Sequence, residues 1–286
     1  MNPSSLYRLS AFTDQPDGGN CAGVWLGEVL PPAAVMQAIA AEVGFSETAF
    51  VAPASGAARQ IRYFSPQAEV SFCGHATIAA GALIGRLSGA GTYVLSTAAG
   101  EVEVHSEAGP RRWRASLLSV ATRHIAPPAS LLDGALGLLG WRRDQLDAAI
   151  PPAVAYAGAW HLVLATRDAD RLAHLEYDFE ALRTLMLEHG LTTLQLVRAE
   201  GPGRFESRNP FPVGGMFEDA ATGAAAAALG GYLRDAGLLA APARLQIRQG
   251  HHMGRPSLID VEIPVAGGVR VSGEAVELDD LPVAAA

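Results

Sequence analysis

A repeat inside the sequence restricts the possible folds of this chain more than any other feature. Five pairs of residues are separated by the same 146 positions: Glu42 and Glu188, Gly44 and Gly190, Arg62 and Arg208, Pro66 and Pro212, and Cys73 and Asp219. One register that holds over this distance without a gap is typical of a duplicated structural unit. We therefore expect two halves that share one fold.

Each half has the same local pattern, in which a short strand and a turn precede a helix rich in small residues. The helices are predicted over residues 74–87 and 220–233, and no charged residue occurs within 76–83 or 221–229. A helix that is apolar on all sides is buried, so each half should wrap its strands around a central helix. The free N–H groups at the start of such a helix favour an anion. If the halves faced each other, the two helix starts would form a cleft for a substrate carboxylate.

Strand-like and helical runs alternate along the whole chain of 286 residues, which predicts an α+β fold. A Pro-rich segment at 126–128 is followed by a Leu- and Gly-rich segment at 131–140. We interpret this passage as the entry to the second half. The predicted domains are an N-terminal half over residues 1–120, to which 273–286 returns, and a C-terminal half over 121–272.

Composition excludes several kinds of function. The net charge is −8 and there is no basic block, which argues against a nucleic-acid partner. All 21 residues counted as Lys or Arg are arginines. The chain therefore cannot form a lysine Schiff base and has no lysine for a P-loop. Hydrophobic residues make up 49% and charged residues 17% of the chain, a balance typical of an ordered globular protein.

The cysteines, the histidines and the apolar runs suggest a cytoplasmic protein without a metal. Cys21 and Cys73 are too few for a disulfide framework and lack a CxxC spacing. His251 and His252 have no third ligand at a spacing typical of a metal site. We find no signal peptide and no apolar run long enough to span a membrane. We therefore expect no metal, no membrane association and a cytoplasmic location.

Six segments resemble, in order, motifs of the PhzF-like family of phenazine biosynthesis: Gly19–Val24, Gly44–Thr48, Arg62–Glu69, Cys73–Thr77, Glu218–Gly223 and Gly250–Pro256. The resemblance implies a diaminopimelate-epimerase-like fold, with two pseudo-symmetric domains that each wrap a β-barrel-like sheet around a central helix. It also implies a homodimer and cofactor-independent acid–base isomerisation of a small carboxylate substrate. The best-known member moves a proton on dihydro-3-hydroxyanthranilate with a glutamate.

Three residues are candidates for acid–base catalysis. Glu47 lies at the mouth of the apolar strand 48–51, where a carboxylate holds a proton more readily than in water. Most glutamates are simply solvated, but the family's catalytic glutamate aligns with this position. His75, at a predicted helix start, either caps a turn or relays a proton. Asp219 is expected at the start of the second helix, as an N-cap, a proton acceptor or both.

Other residues are candidates for substrate binding. They are the side chains of Asn20, Ser46 and Cys73 and the backbone N–H groups of Gly74, Ala76, Gly223 and Ala224. Cys73 is either an inert buried thiol or, with Asp219, one of two bases of an epimerase. A member that only binds a metabolite is a third alternative.

Departures from the family pattern concern the substrate. The family commonly has Ser where Ala224 stands and Pro where Cys21 and Ala220 stand. Loss of the serine hydroxyl removes one donor to the substrate, so we expect the substrate to differ from the familiar one. Arg62 and Arg208 are interpreted as structural, each in an ion pair within its own half. Glu218 is expected to be either an exposed neighbour of Asp219 or a tie between the halves.

Overall fold

The computed structural model describes residues 5–54, 56 and 58–278. The chain forms two units. The first runs to Leu118 and resumes at Ser272, and the second is Ser119–Val271. Residues 279–286 of the segment that was predicted to return to the first half lie outside the described residues.

The first unit is a closed barrel around a helix. Its elements are β1 (Ser5–Ala11), β2 (Asn20–Leu26), α1 (Ala33–Val43), β3 (Glu47–Pro53), β4 (Ala58–Phe64), β5 (Glu69–Val70), α2 (Gly74–Ser88), β6 (Gly91–Thr97), β7 (Gly100–Ala108), β8 (Trp113–Leu118) and most of β17 (Arg270–Glu277). Within the described residues, eight strands close in the order β1-β2-β3-β4-β6-β7-β8-β17-β1. The pairs β2–β3 and β4–β6 are parallel, and the other pairs with an assigned direction are antiparallel.

Small residues allow α2 to occupy the inside of this barrel. Residues 75–85 of the helix are all buried, and the helix packs against β1, β2, β3, β7 and β8. A Cβ atom on Gly81 would lie 2.5 Å from Val104 Cγ1, and one on Gly85 would lie 2.7 Å from Ser106 Cβ. Glycine is therefore required at both positions for the helix to approach β7 so closely. The predicted central helix is confirmed.

The helix α1 packs against the barrel just before the chain enters β3. Its buried residues Met36 and Ala40 pack against Trp25, Phe50 and Phe64 on strands β2, β3 and β4. The helix ends at Gly44, whose φ of 70° is the left-handed conformation that glycine adopts without strain. The chain reverses there and begins β3 three residues later.

The second unit repeats this plan. Its elements are β9 (Arg123–Ile125), α3 (Ala129–Leu139), β10 (Ala153–Tyr156), β11 (Trp160–Ala165), α4 (Ala169–Ala173), α5 (Phe179–Glu188), β12 (Thr193–Gly201), β13 (Arg204–Phe211), β14 (Met216–Asp219), α6 (Gly223–Asp235), β15 (Ala243–Gln249) and β16 (Ser257–Ile263). The strands pair in the order β9-β10-β11-β12-β13-β15-β16, with β14 on β13. The sheet surrounds α6, which packs against β9, β10, β11, β12 and β16.

Strand register confirms the repeat. The strands β12 and β13 begin 146 residues after β3 and β4. Phe50 pairs with Arg62 in the first unit, and Leu196 pairs with Arg208 in the second, again with the same offset. The parallel pairs β11–β12 and β13–β15 correspond to β2–β3 and β4–β6. The predicted α+β fold of two similar barrel-like domains is therefore correct.

The helices of the described chain are short. The longest of them, α2, has 15 residues, whereas a span across a bilayer takes about 20 apolar residues. None of the helices in the described ranges is long and apolar enough to cross a membrane.

The repeated arginines form ion pairs inside their own units, as predicted. Arg62 binds Glu69 at 2.6 Å between half-exposed side chains. Arg208 binds Glu218 at 2.5 Å, and these side chains are only 8% and 4% exposed. The Arg208 guanidinium also donates to the carbonyl of Ala173. The interpretation of Glu218 as an exposed neighbour of Asp219 is wrong, because Glu218 faces Arg208 in the interior of the second unit.

We predict unequal effects of one substitution at these two ion pairs. Glu218→Gln leaves a buried guanidinium without its counter-charge and should lower the free energy of unfolding by about 3–5 kcal/mol. Glu69→Gln, the matched control, removes a pair that water screens and should cost less than about 1 kcal/mol. Urea denaturation of both variants measures the difference. Equal losses would contradict the assignment of a buried pair.

A second prediction concerns His161, which is buried in the second unit. Its Nδ1 lies 2.8 Å from Thr193 Oγ1, and burial lowers the pKa of His161 to about 3. Between pH 6.5, an ordinary histidine pKa, and pH 3, the unfolded chain binds a proton that the folded chain does not. The free energy of unfolding should therefore fall as the pH falls through this range.

The comparison of unfolding at pH 7 and pH 4 in wild type, His161→Asn and His174→Asn measures this effect. His174 is exposed and serves as the control. The acid-induced loss of stability should shrink in His161→Asn and remain in His174→Asn. A loss of the same size in all three proteins would refute the role of His161.

Candidate active site

Four of the predicted site residues come together where β3 and α2 begin. Glu47 is the first residue of β3, and its side chain is 17% exposed. Glu47 Oε2 lies 3.4 Å from His75 Nε2 and 3.5 Å from Cys73 Sγ. Ser46 Oγ lies 3.3 Å from the same Nε2 atom. The imidazole thus lies within reach of a hydroxyl, a carboxylate and a thiol.

The backbone of α2 explains how Cys73 and His75 reach Glu47. Cys73 is the N-cap residue of α2 in an extended conformation, and Gly74, His75 and Ala76 form the first turn. Cys73 Sγ lies 3.4 Å from His75 Nδ1. Gly74 and Ala76, two of the predicted binding residues, lie in this turn, where N–H groups have no partner within the helix. No described atom would lie within 4 Å of a Cβ on Gly74, which leaves room for a ligand there.

A buried chain of hydrogen bonds fixes the start of α2. Thr77 Oγ1 donates to the Cys73 carbonyl at 2.6 Å, and the Tyr63 hydroxyl donates to Thr77 Oγ1 at 2.7 Å. Burial raises the pKa of Tyr63 well above its usual range, so the phenol keeps its proton. Neither Tyr63 nor Thr77 was predicted as a site residue from the sequence, although both lie inside segments that resemble PhzF-like motifs, Arg62–Glu69 and Cys73–Thr77.

Asn20 lies on the strand next to Glu47. It is the first residue of β2 and is buried. Two residues later, Ala22 pairs with Glu47 in the parallel register of β2 and β3. The backbone therefore places Asn20 at the same end of the sheet as the carboxylate.

Asp219 lies in the second unit. The prediction that Asp219 caps the second helix is wrong. It is the last residue of β14, where it pairs with Asn209, and α6 begins only at Gly223 with Thr222 as its N-cap. Because Asp219 still pairs with β13, the strand β14 extends to this residue. The helix α6 therefore begins three residues after its predicted start at Ala220. Because α6 begins at Gly223, the predicted binding residues Gly223 and Ala224 lie in its first turn.

Two residues that were not predicted hold Asp219 in place. Thr222 Oγ1 donates to Asp219 Oδ2 at 2.6 Å, and Gln249 Nε2 donates to the Asp219 carbonyl at 2.8 Å. Gln249 also lies 3.0 Å from Thr222 Oγ1. The position of Gln249, immediately before the Gly250–Pro256 motif, was the only signal for it in the sequence.

Three of the clustered side chains are potential metal ligands. The donor atoms of Glu47, Cys73 and His75 all lie within 4.8 Å of one another. The two histidines considered from the sequence have other partners, since His251 faces the carbonyl of Gln249 and His252 faces Glu206. Sequence spacing could not reveal the cluster, because Glu47 is 26 residues from Cys73 and arrives by strand pairing.

Comparison with known proteins identifies the family. The chain matches the family model described as phenazine biosynthesis-like protein, PhzC-PhzF, over residues 9–280. The chain belongs to this family. The resemblance found in its six motifs is thereby confirmed.

Individual relatives agree with this assignment. An uncharacterized isomerase of Deinococcus radiodurans is 33% identical, and the match covers 93% of this chain and 89% of that protein. The trans-2,3-dihydro-3-hydroxyanthranilate isomerase of Pseudomonas fluorescens is 30% identical, over 88% of this chain and 87% of that protein. A solved structure of a predicted epimerase from Pseudomonas aeruginosa has a TM-score of 0.85 and 26% identity, over 98% and 99% of the two chains. This protein is an isomerase of the phenazine biosynthesis-like family.

We predict that Thr77→Val weakens the first turn of α2. The substitution leaves the buried Tyr63 hydroxyl without its partner and should lower the free energy of unfolding by about 1–3 kcal/mol. Thr184 makes the same bond to the carbonyl four residues earlier, but on the exposed face of α5. Thr184→Val should therefore have little effect in the same denaturation experiment. If both variants lost equal stability, the buried hydrogen-bond chain would not be what fixes the turn.

Proposed function

We propose that this protein catalyses proton transfer on a small unsaturated carboxylate, with Glu47 as the acid and base. The observation that carries the proposal is the contact of Glu47 Oε2 with His75 Nε2 at 3.4 Å between two largely buried side chains. A carboxylate that is screened from water and held beside an imidazole can both accept and return a proton. Neither lysine nor a P-loop takes part, since the chain contains no lysine.

His75 positions the carboxylate and passes protons. Its Nε2 atom lies 3.3 Å from Ser46 Oγ and 3.4 Å from Glu47 Oε2. A histidine in this place can donate to the carboxylate in one step and accept from it in the next. The first-turn N–H groups of α2 would bind the substrate carboxylate, aided by the positive end of the helix dipole. Donors fixed before the substrate arrives need no reorganisation during the reaction.

The proposed substrate class rests on the family and on Ala224, which stands where the family commonly has serine. The Pseudomonas fluorescens relative is named for its action on trans-2,3-dihydro-3-hydroxyanthranilate. We propose that the substrate here is also an unsaturated carboxylate, but one that does not need the hydroxyl that a serine at position 224 would supply. The roles of Asn20, Asp219, Gly223 and Ala224 in binding, the homodimer and the enclosure of the substrate between the halves stay predictions.

A two-base epimerase is the second candidate, and the position of Cys73 favours it. Cys73 Sγ lies 3.4 Å from His75 Nδ1, so the imidazole can take the thiol proton and leave a thiolate base. Asp219, at the equivalent position of the repeat, would supply the second base. The two candidates differ in which side chain in the first unit removes the proton, Glu47 or Cys73.

Deuterium uptake from solvent into candidate unsaturated carboxylates, beginning with trans-2,3-dihydro-3-hydroxyanthranilate, tests the proposal. We expect Glu47→Gln to reduce uptake by about 10²–10⁴-fold, since it removes the acid–base group. Glu42→Gln is the matched control, because Glu42 is exposed at the end of α1. It should leave uptake unchanged.

The variants separate the candidate functions. Full uptake in Glu47→Gln would refute the isomerase mechanism. Uptake that is lost in Cys73→Ala but kept in Glu47→Gln would establish the epimerase instead. Tight binding of a ligand without exchange in the wild type would favour a member that only binds a metabolite.

A further inference from the structure

A buried amide fixes the direction of the hydrogen bonds that reach Asp219. The Gln249 side chain is buried, and its Nε2 atom lies 2.8 Å from the Asp219 carbonyl oxygen and 3.0 Å from Thr222 Oγ1. Its Oε1 atom lies 3.2 Å from the backbone nitrogen of Thr222 and 3.4 Å from Ser207 Oγ. A carbonyl oxygen only accepts and a backbone N–H only donates. One orientation of this amide therefore satisfies its partners.

This orientation determines where the hydrogen of the Thr222 hydroxyl lies. Both hydrogens of Gln249 Nε2 are donated, and one of them goes to Thr222 Oγ1. A hydroxyl has a single hydrogen to donate, and Thr222 Oγ1 donates it to Asp219 Oδ2 at 2.6 Å. The Asp219 oxygen is thus an acceptor, as in an ionised carboxylate, and hydrogen bonds to an ionised group are stronger than neutral ones.

The Thr222 side chain does not cap the helix at whose start it stands. Thr222 occupies the N-cap position of α6, where a hydroxyl commonly accepts from an N–H group of the first turn. Among the described residues it makes no such bond, and its hydroxyl reaches back to Asp219 instead. Removal of the hydroxyl should therefore disturb the carboxylate without loss of a helix cap.

The repeat shows that the same backbone carbonyl is bound by a side chain in both units. Asp219 corresponds to Cys73, whose carbonyl accepts from Thr77 Oγ1 at 2.6 Å. Thr77 corresponds to Gly223, which has no side chain. In the second unit the donor is Gln249, on the strand β15. Two side chains from different elements thus fix equivalent residues, one in each unit.

We propose that Thr222 and Gln249 are positioning residues, which hold the ionised Asp219 carboxylate in one orientation for the reaction. Gln249 fixes the Asp219 backbone and the direction of the Thr222 hydroxyl, and this hydroxyl fixes one carboxylate oxygen. A group that is oriented in advance need not reorganise during the reaction. The effect on catalysis rests on the proposed function and on the predicted role of Asp219, whereas the orientation of the carboxylate rests on geometry alone.

Deuterium uptake by the full-length variants Thr222→Val and Thr222→Ser tests the positioning, beginning with trans-2,3-dihydro-3-hydroxyanthranilate as the substrate. Valine has the shape of threonine without the hydroxyl. It should reduce uptake by about 10–100-fold, the effect of one lost hydrogen bond to a charged group. Serine keeps the hydroxyl and should retain most of the uptake. Thermal unfolding checks that both variants are folded.

A double-mutant cycle separates positioning from a merely structural role. If the hydroxyl acts through Asp219, Thr222→Val should cause no further loss of uptake in an Asp219→Ala background. Gln249→Met removes the amide and should lower uptake by at least about tenfold. The matched control is Gln246→Met, at an exposed position of β15, which should leave uptake unchanged. Full uptake in folded Thr222→Val, equal losses in Thr222→Val and Thr222→Ser, or an undiminished loss in the Asp219→Ala background would overturn the proposal.

A crystal structure of Thr222→Val gives a readout that does not depend on activity. The Asp219 carboxylate should rotate or occupy more than one conformation, and a carboxylate that keeps its single orientation would overturn the positioning. A displaced carboxylate in a protein whose wild type shows no Glu47-dependent uptake would refute the proposed function and leave the positioning standing. Glu47-dependent uptake that Thr222→Val and Gln249→Met leave unchanged would refute the positioning and leave the function standing.

Discussion

The burial of α2 inside the first barrel is the constraint on which the candidate site depends. The helix fits because Gly81 and Gly85 have no side chain where Val104 and Ser106 approach. A helix held on all sides cannot shift along its axis without disturbing the packing around it. The hydrogen bonds from Tyr63 to Thr77 and from Thr77 to the Cys73 carbonyl also stabilise its first turn. Together these contacts hold Cys73 and His75 beside the start of β3, with Cys73 Sγ 3.5 Å and His75 Nε2 3.4 Å from Glu47 Oε2.

Duplication supplied two copies of this arrangement, but the copies carry different chemistry. The repeat places Thr193 at the position of Glu47 and Ala221 at the position of His75. The second unit therefore lacks the carboxylate–imidazole pair and has instead Asp219, held by Thr222 and Gln249. Its ion pair is buried where that of the first unit is half-exposed. One backbone plan thus accommodates two sets of polar residues, because the barrel and its central helix depend mainly on apolar contacts.

The sequence predicted the repeated plan well, since strand register and helix burial follow from residue spacing and hydrophobicity. It also predicted the start of α2, where Gly74 follows a β-like segment. It failed at Asp219, because the same residue type suits an N-cap and the last residue of a strand, and only pairing with Asn209 decides between them. It missed the proximity of Cys73 to Glu47 for a related reason. Contacts between residues far apart in the chain depend on which strands pair, and a single sequence carries little information on that pairing.

The closure of the first barrel by β17 has a consequence for biogenesis. The strands β1 and β8 are both complete within the first 118 residues, yet their common neighbour is formed by residues 270–277. During synthesis, two edges of the nascent sheet must remain open while about half of the chain is still being made, although domains made first generally fold first. Unpaired strand edges are prone to wrong association. The unit that carries the candidate site is therefore begun first and completed last, and the residues of that site acquire a finished scaffold only when nearly the whole polypeptide has been produced.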